Sequence, residues 1–165
     1  MDDILGLPIP DAGPAFLAAL AVHVPAGLMG VAGGAVAMLA RKGGTVHRRA
    51  GRVYRWSLTA VFASMAVMAA LRWQHTAHLF AIGCLAWTAM LTGYRSRHRR
   101  PRLHILGMGL SYIALLTGFY VDNGPHLPGW DRLPAWSHWV LPTMIGVPIL
   151  LRALRIGRTG KGVTR

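Results

Sequence analysis

Residues Leu103 to Asp131 read LHILGMGLSYIALLTGFYVDNGPHLPGWD. The stretch leaves a basic cluster, runs apolar through Val121, and ends in an acidic turn rich in Gly and Pro. About twenty mostly apolar residues are what a helix needs to cross a bilayer. The stretch therefore predicts a membrane-spanning helix with a defined exit. His104 and Asp122 stand about five helical turns apart, roughly 27 Å at 1.5 Å per residue, and so share a face. Gly107, Ser111 and Gly118 fall near the same face. Small residues at such spacing let another helix approach closely. This predicts a buried face with a titratable group at each mouth. The plainer alternative is that His104 and Asp122 are interfacial residues at helix ends.

Working outward, the same design recurs four more times. No Asp, Glu, Lys or Arg falls between Gly13 and Ala40, which places a first span at about 15–40. Further spans are expected at about 54–71, 76–94 and 135–154. The fold class is thus all-α: an integral membrane helical bundle of five transmembrane helices. Residues 1–14 form an outer segment broken by Pro8, Pro10 and Pro14, residues 15–154 the transmembrane domain, and residues 155–165 a basic cytoplasmic tail. No signal peptide is expected, since the first residues carry acids where a positive segment is needed.

The formal net charge is +13, which by itself would fit a nucleic-acid partner. Its placement argues otherwise. Every Lys and Arg except Arg72 and Arg132 lies in 41–55, 95–102 or 152–165. All five acids, Asp2, Asp3, Asp11, Asp122 and Asp131, lie elsewhere, and there is no Glu. Basic loops stay on the cytoplasmic side. The alternation predicts N-terminus out, C-terminus in and an odd number of spans, with the basic loops meeting anionic head groups. No nucleic-acid role is expected.

Several positions carry specific expectations. Gly30 and Gly34 make a GxxxG on a face shared with His23, Gly27 and Ala37, a cue for close helix contact. In the first inner loop, RKGGTVHRRAGRVYRW, Gly43-Gly44 turns the chain, and His47, Arg48, Arg49, Arg52 and Arg55 crowd one place. This is either a positive-inside anchor or a site for a head group or other anion. The YVDNGP segment, through Asp122, Asn123, Gly124 and Pro125, is a fixed helix exit. Gly124 is expected to supply a turn conformation that a Cβ resists, and Asp122 to pair with Arg72 or Arg132. The long connection after it is expected to lie on the membrane as a lid. The single cysteine, Cys84, excludes an internal disulfide and a CxxC metal site.

Chemistry is sparse. There is no GxGxxG, P-loop, HExxH or Ser–His–Asp pattern, and paired-carboxylate catalysis has almost nothing to draw on. Histidine is the remaining resource, being the commonest side-chain metal ligand. His78 and His138 fall at matched depth, roughly 5 Å below the outer boundary, with His23 about 12 Å down. They form a candidate cofactor set for a bis-imidazole haem b, and His75, His78 and His138 a candidate set for a transition metal. The alternative is ordinary interfacial histidines. His47, His98 and His104 could form a second, inner site.

His23, the run His47-Arg48-Arg49-Ala50-Gly51-Arg52-Val53-Tyr54, and the block from His104 through YVDNGP to Leu127-Pro128 resemble the DUF2306 family of bacterial multi-pass membrane proteins. The resemblance covers most of residues 20–150. It implies a multi-pass protein of the bacterial cytoplasmic membrane, with no settled activity and no catalytic residue to carry over. Three function classes stay open. One is a non-enzymatic structural, accessory or assembly component with a membrane-protein partner or a second copy. Another is a histidine-ligated haem or metal protein in electron transfer or cofactor delivery. The last is a small transporter or channel subunit, for which mid-span polar residues are few.

Overall fold

The computed structural model describes residues 2–4, 7–9, 13–130 and 132–159. Five long helices dominate it: α1 (Gly13–Leu39), α2 (Thr45–Leu71), α3 (Trp73–Ser96), α4 (Pro101–Asn123) and α5 (Ala135–Thr159). Two short strands, β1 (Asp2–Ile4) and β2 (Leu7–Ile9), pair antiparallel before α1. All five helices are long and apolar enough to cross a membrane. Leu28, Met29, Leu39, Met144 and Ile145 are more than half exposed, as a surface solvated by lipid tails requires.

The helices pack mainly as hairpins, α1 on α2 and α3 on α4, with α5 added on α4 and a lighter contact between α2 and α3. The main core gathers Tyr54, Leu58, Val61, Ala86, Met90, Ala114 and Leu115 from α2, α3 and α4. Tyr54 is 1% exposed, and its hydroxyl meets Ser111 Oγ at 2.8 Å. Ser111 donates onward to the Met108 carbonyl, so the proton between the two hydroxyls comes from Tyr54.

Small residues set the closest approaches, without a strong hydrophobic drive between helices in lipid. Gly30 and Gly34 are buried, and a Cβ on Gly34 would enter the Tyr112 ring. Their neighbours are side chains. The backbone-to-backbone approach falls one residue away, at Gly33, where a Cβ would stand 3.3 Å from Tyr54 N and 3.4 Å from Ala50 O. The tightest approach of backbones joins α3 to α4. A Cβ on Gly93 would lie 2.8 Å from Met108 N, and one on Gly107 2.6 Å from Ala89 O. Gly107 and Ser111 are buried as expected, while Gly118 is half-buried.

The boundaries differ instructively from the sequence reading. α2 begins at Thr45, so His47 to Arg52 form its first turns and not a loop. The loop is only Ala40 to Gly44, turned by Gly43 at φ +78°. Arg and Ala are good helix formers, and arginine stems can extend a helix into the head-group layer. α5 likewise runs past Leu154 to Thr159; residues 160–165 of the expected tail lie outside the described residues, as do Asp11 and Asp131. Gly124 does not supply a left-handed turn. Its φ, ψ are −52°, −44°, and it opens a short 3-10 turn, Gly124–His126. Glycine is needed there because the His138 ring packs on it: a Cβ would stand 2.7 Å from Nε2. Gly129 in this connection is left-handed, at φ +82°.

Candidate functional site

Five helices bring their polar groups to two ends. One end holds the C-termini of α1 and α3 and the N-termini of α2 and α4, with most of the arginines; call it the basic end. The other holds Asp122 at the close of α4.

At the basic end the last carbonyls of α1 lack partners within their own helix. Lys42 Nζ reaches Met38 O at 2.7 Å and Ala37 O at 3.3 Å. His47 Nδ1 reaches Ala37 O at 2.8 Å. The partial burial of Lys42 lowers its ammonium pKa from the ordinary value. α3 ends in the same way: His104 Nδ1 meets Gly93 O at 2.9 Å, and Arg97 donates to Tyr94 O at 2.9 Å. A carbonyl only accepts, so Nδ1 of both histidines carries a proton. In the neutral ring Nε2 is then the acceptor nitrogen.

These two histidines are neighbours. The His47 and His104 ring centroids are 6.4 Å apart with the rings at 84°, and both rings are half-buried. Lys42 and Arg97 lie within electrostatic reach of His104. One turn along α2 from His47, Gly51 has nothing within 4 Å of where its Cβ would be. A glycine inside a helix costs about 1 kcal/mol against alanine, and nothing among the described residues beyond its own turn of helix claims the space. Arg48 bonds to Gly43 O at 2.8 Å, and Arg52 is exposed. His98, the expected third member, is an exposed loop residue.

At the acidic end each expected histidine has a separate partner. His23 Nδ1 lies 3.0 Å from Ser64 Oγ, and the Asp122 charge acts on the same ring. Arg72 lies over the Phe16 ring at 5.1 Å. His138, 3% exposed, sits under Gly124 with Nε2 3.3 Å from Trp130 O. His78 lies against Trp139, with centroids 5.9 Å apart; His75 and His78 are exposed on α3. Pro125 and Asn123 complete the exit, Asn123 Nδ2 bonding to Phe119 O at 3.0 Å. Among the described residues, no three His, Cys, Asp or Glu side chains gather closely enough to hold a metal ion by themselves.

Sequence reasoning named His47 and His104 but ranked the outer histidines above them. It missed Lys42, Gly33 and Gly93, and gave Gly51 and Ser64 no part in a site. The His47–Gly51 spacing of one helical turn was the available signal, hidden by assigning that run to a loop. Comparison with family models, curated proteins and solved structures returns no match.

Proposed function

We propose that the protein is a multi-pass membrane protein that carries a haem-type iron macrocycle between His47 and His104 and moves electrons at the cytoplasmic face. The observation that carries this reading is the His47–His104 pair at 6.4 Å. His47 and His104 would hold the iron through Nε2; with metal–imidazole bonds of about 2.0–2.1 Å, two rings sharing one metal would stand roughly 6.4 Å apart.

The donor set favours a macrocycle over a bare ion. A structural or catalytic metal needs three or four protein ligands, whereas a haem supplies four of its own and asks for two. Each imidazole donates Nδ1–H to a backbone carbonyl, the outer-shell bond that fixes tautomer and raises ligand basicity. Lys42 repels a free cation but suits a carboxylate of a haem. Gly51 leaves room on the ligand's side of α2. When bound, the group would supply one-electron chemistry. The chain's part is to orient two imidazoles, hold their protons at Nδ1, and border them with helix ends.

The orientation that goes with this reading is N-terminus outside and C-terminus inside, supported by the basic loops. The DUF2306 resemblance, through the HRRAGRVY and YVDNGP runs, supports the bacterial cytoplasmic membrane as the location. The purified protein should show a Soret band and about one iron per bound macrocycle, and Gly51→Leu should lose most of that band while its melting temperature stays within a few degrees. A colourless, iron-free protein would reject the proposal, as would a Gly51→Leu variant with full haem content.

A further inference from the structure

A second cluster at the basic end lies outside the histidine pair. The Arg55 guanidinium sits over the Trp56 ring at 4.7 Å and over the Tyr94 ring at 4.3 Å. Arg97 also sits over Tyr94, at 4.1 Å. Two guanidiniums therefore share one phenol ring and are no farther apart than the sum of those two distances. Arg97 spends one donor on Tyr94 O. Arg55 Nε is buried and has no hydrogen-bond partner. An unmet donor of a charged group is among the costliest features a buried site can have. Cation–π contact on two rings offsets only part of that cost.

Among the described residues no acidic side chain pairs with either guanidinium: the chain has no Glu, and Asp122 closes α4 at the opposite end. A counter-ion from outside the chain would satisfy the pair. Arg55 and Trp56 belong to α2, Tyr94 to α3, and these two helices meet less extensively than the α1–α2 or α3–α4 hairpins. Trp56 is 64% exposed, at the level where indoles line a membrane interface. An anion that reaches this place has to arrive from the lipid side, in the head-group layer.

We propose that Arg55 and Arg97, with Tyr94 and Trp56 as walls, form a binding site for the phosphate of an anionic phospholipid in the cleft between α2 and α3. Guanidinium is the side chain best matched to phosphate, because its fixed fork gives two parallel charge-assisted hydrogen bonds. Arg55 Nε would supply one of them. This site does not depend on haem binding: it uses neither histidine.

The test is native mass spectrometry of the detergent-solubilised full chain with phosphatidylglycerol, with phosphatidylcholine of the same acyl chains, and with inorganic phosphate. Phosphatidylglycerol should be retained at least about tenfold more than phosphatidylcholine, and inorganic phosphate should not displace it. Arg97→Gln, at an exposed position, should cut that retention by about tenfold, the loss of one charge-assisted bond; Arg55→Lys, which keeps the charge and removes Nε, should do likewise. Arg99→Gln with Arg100→Gln, in the exposed loop, should leave it unchanged. Equal retention of the two lipids, displacement by inorganic phosphate, or full retention in Arg97→Gln would overturn the proposal.

Discussion

The two ends of the bundle treat histidine differently. At the basic end, His47 on α2 and His104 on α4 each reach across to the closing carbonyls of a different helix. They thereby meet each other with both Nδ1 protons directed at those carbonyls. At the acidic end, His23, His78 and His138 lie on three helices, and each is occupied by a separate neighbour: a serine, an indole, and a carbonyl under a glycine. The difference teaches that helix ends bring imidazoles together more readily than helix middles. An unfinished C-terminus offers carbonyls that fix an incoming imidazole's tautomer and position. A mid-helix carbonyl is already used.

The comparison can be broken most severely at the contact that positions His104. Gly93 supplies the carbonyl, and its backbone touches that of Gly107. Gly93→Leu should separate α3 from α4 and cost at least the roughly 1–3 kcal/mol of an overpacked core, visible as loss of monodisperse protein in detergent. Gly118→Leu, opposite only Ile82 at 3.7 Å, should be much milder. If both variants behave as the wild type, the α3–α4 contact is not close.

A smaller effect sharpens the account of the core between the ends. Tyr54→Phe removes the donor to Ser111 while keeping the ring. Interhelical hydrogen bonds in membranes average about 0.6 kcal/mol and reach roughly 1.7, so the expected loss is of that order. Thermal unfolding of the two proteins side by side would measure it; a loss far above that range would mean the tyrosine also positions the helix termini around His47.

Much of the bundle was legible in the residues. Charge-free apolar blocks dictate where helices can cross, and Pro101 and the glycine turn at Gly43 mark where two of them start. Element ends were less legible, because an arginine-rich run reads as loop and can fold as helix, as Arg48 to Arg52 do. The role of Gly124 was misread for a related reason. Sequence shows that a Cβ is unwelcome there but not whether backbone angle or a neighbouring ring excludes it; here it is the His138 ring. The paired histidines were named but not paired, since they stand 57 positions apart in sequence and only the assembly of the α1–α2 and α3–α4 hairpins brings them together.

The central claim is that the chain holds its ligand at the basic end and not at the acidic end. Absorption spectra of His47→Ala, His104→Ala, His78→Ala and His138→Ala, purified in parallel with the wild type, test it directly. The account predicts a Soret band in the wild type that is abolished in His47→Ala and His104→Ala and kept in His78→Ala and His138→Ala. Retention of the band without His47 or His104, or its loss without His78 or His138 in a protein that still folds, would contradict it.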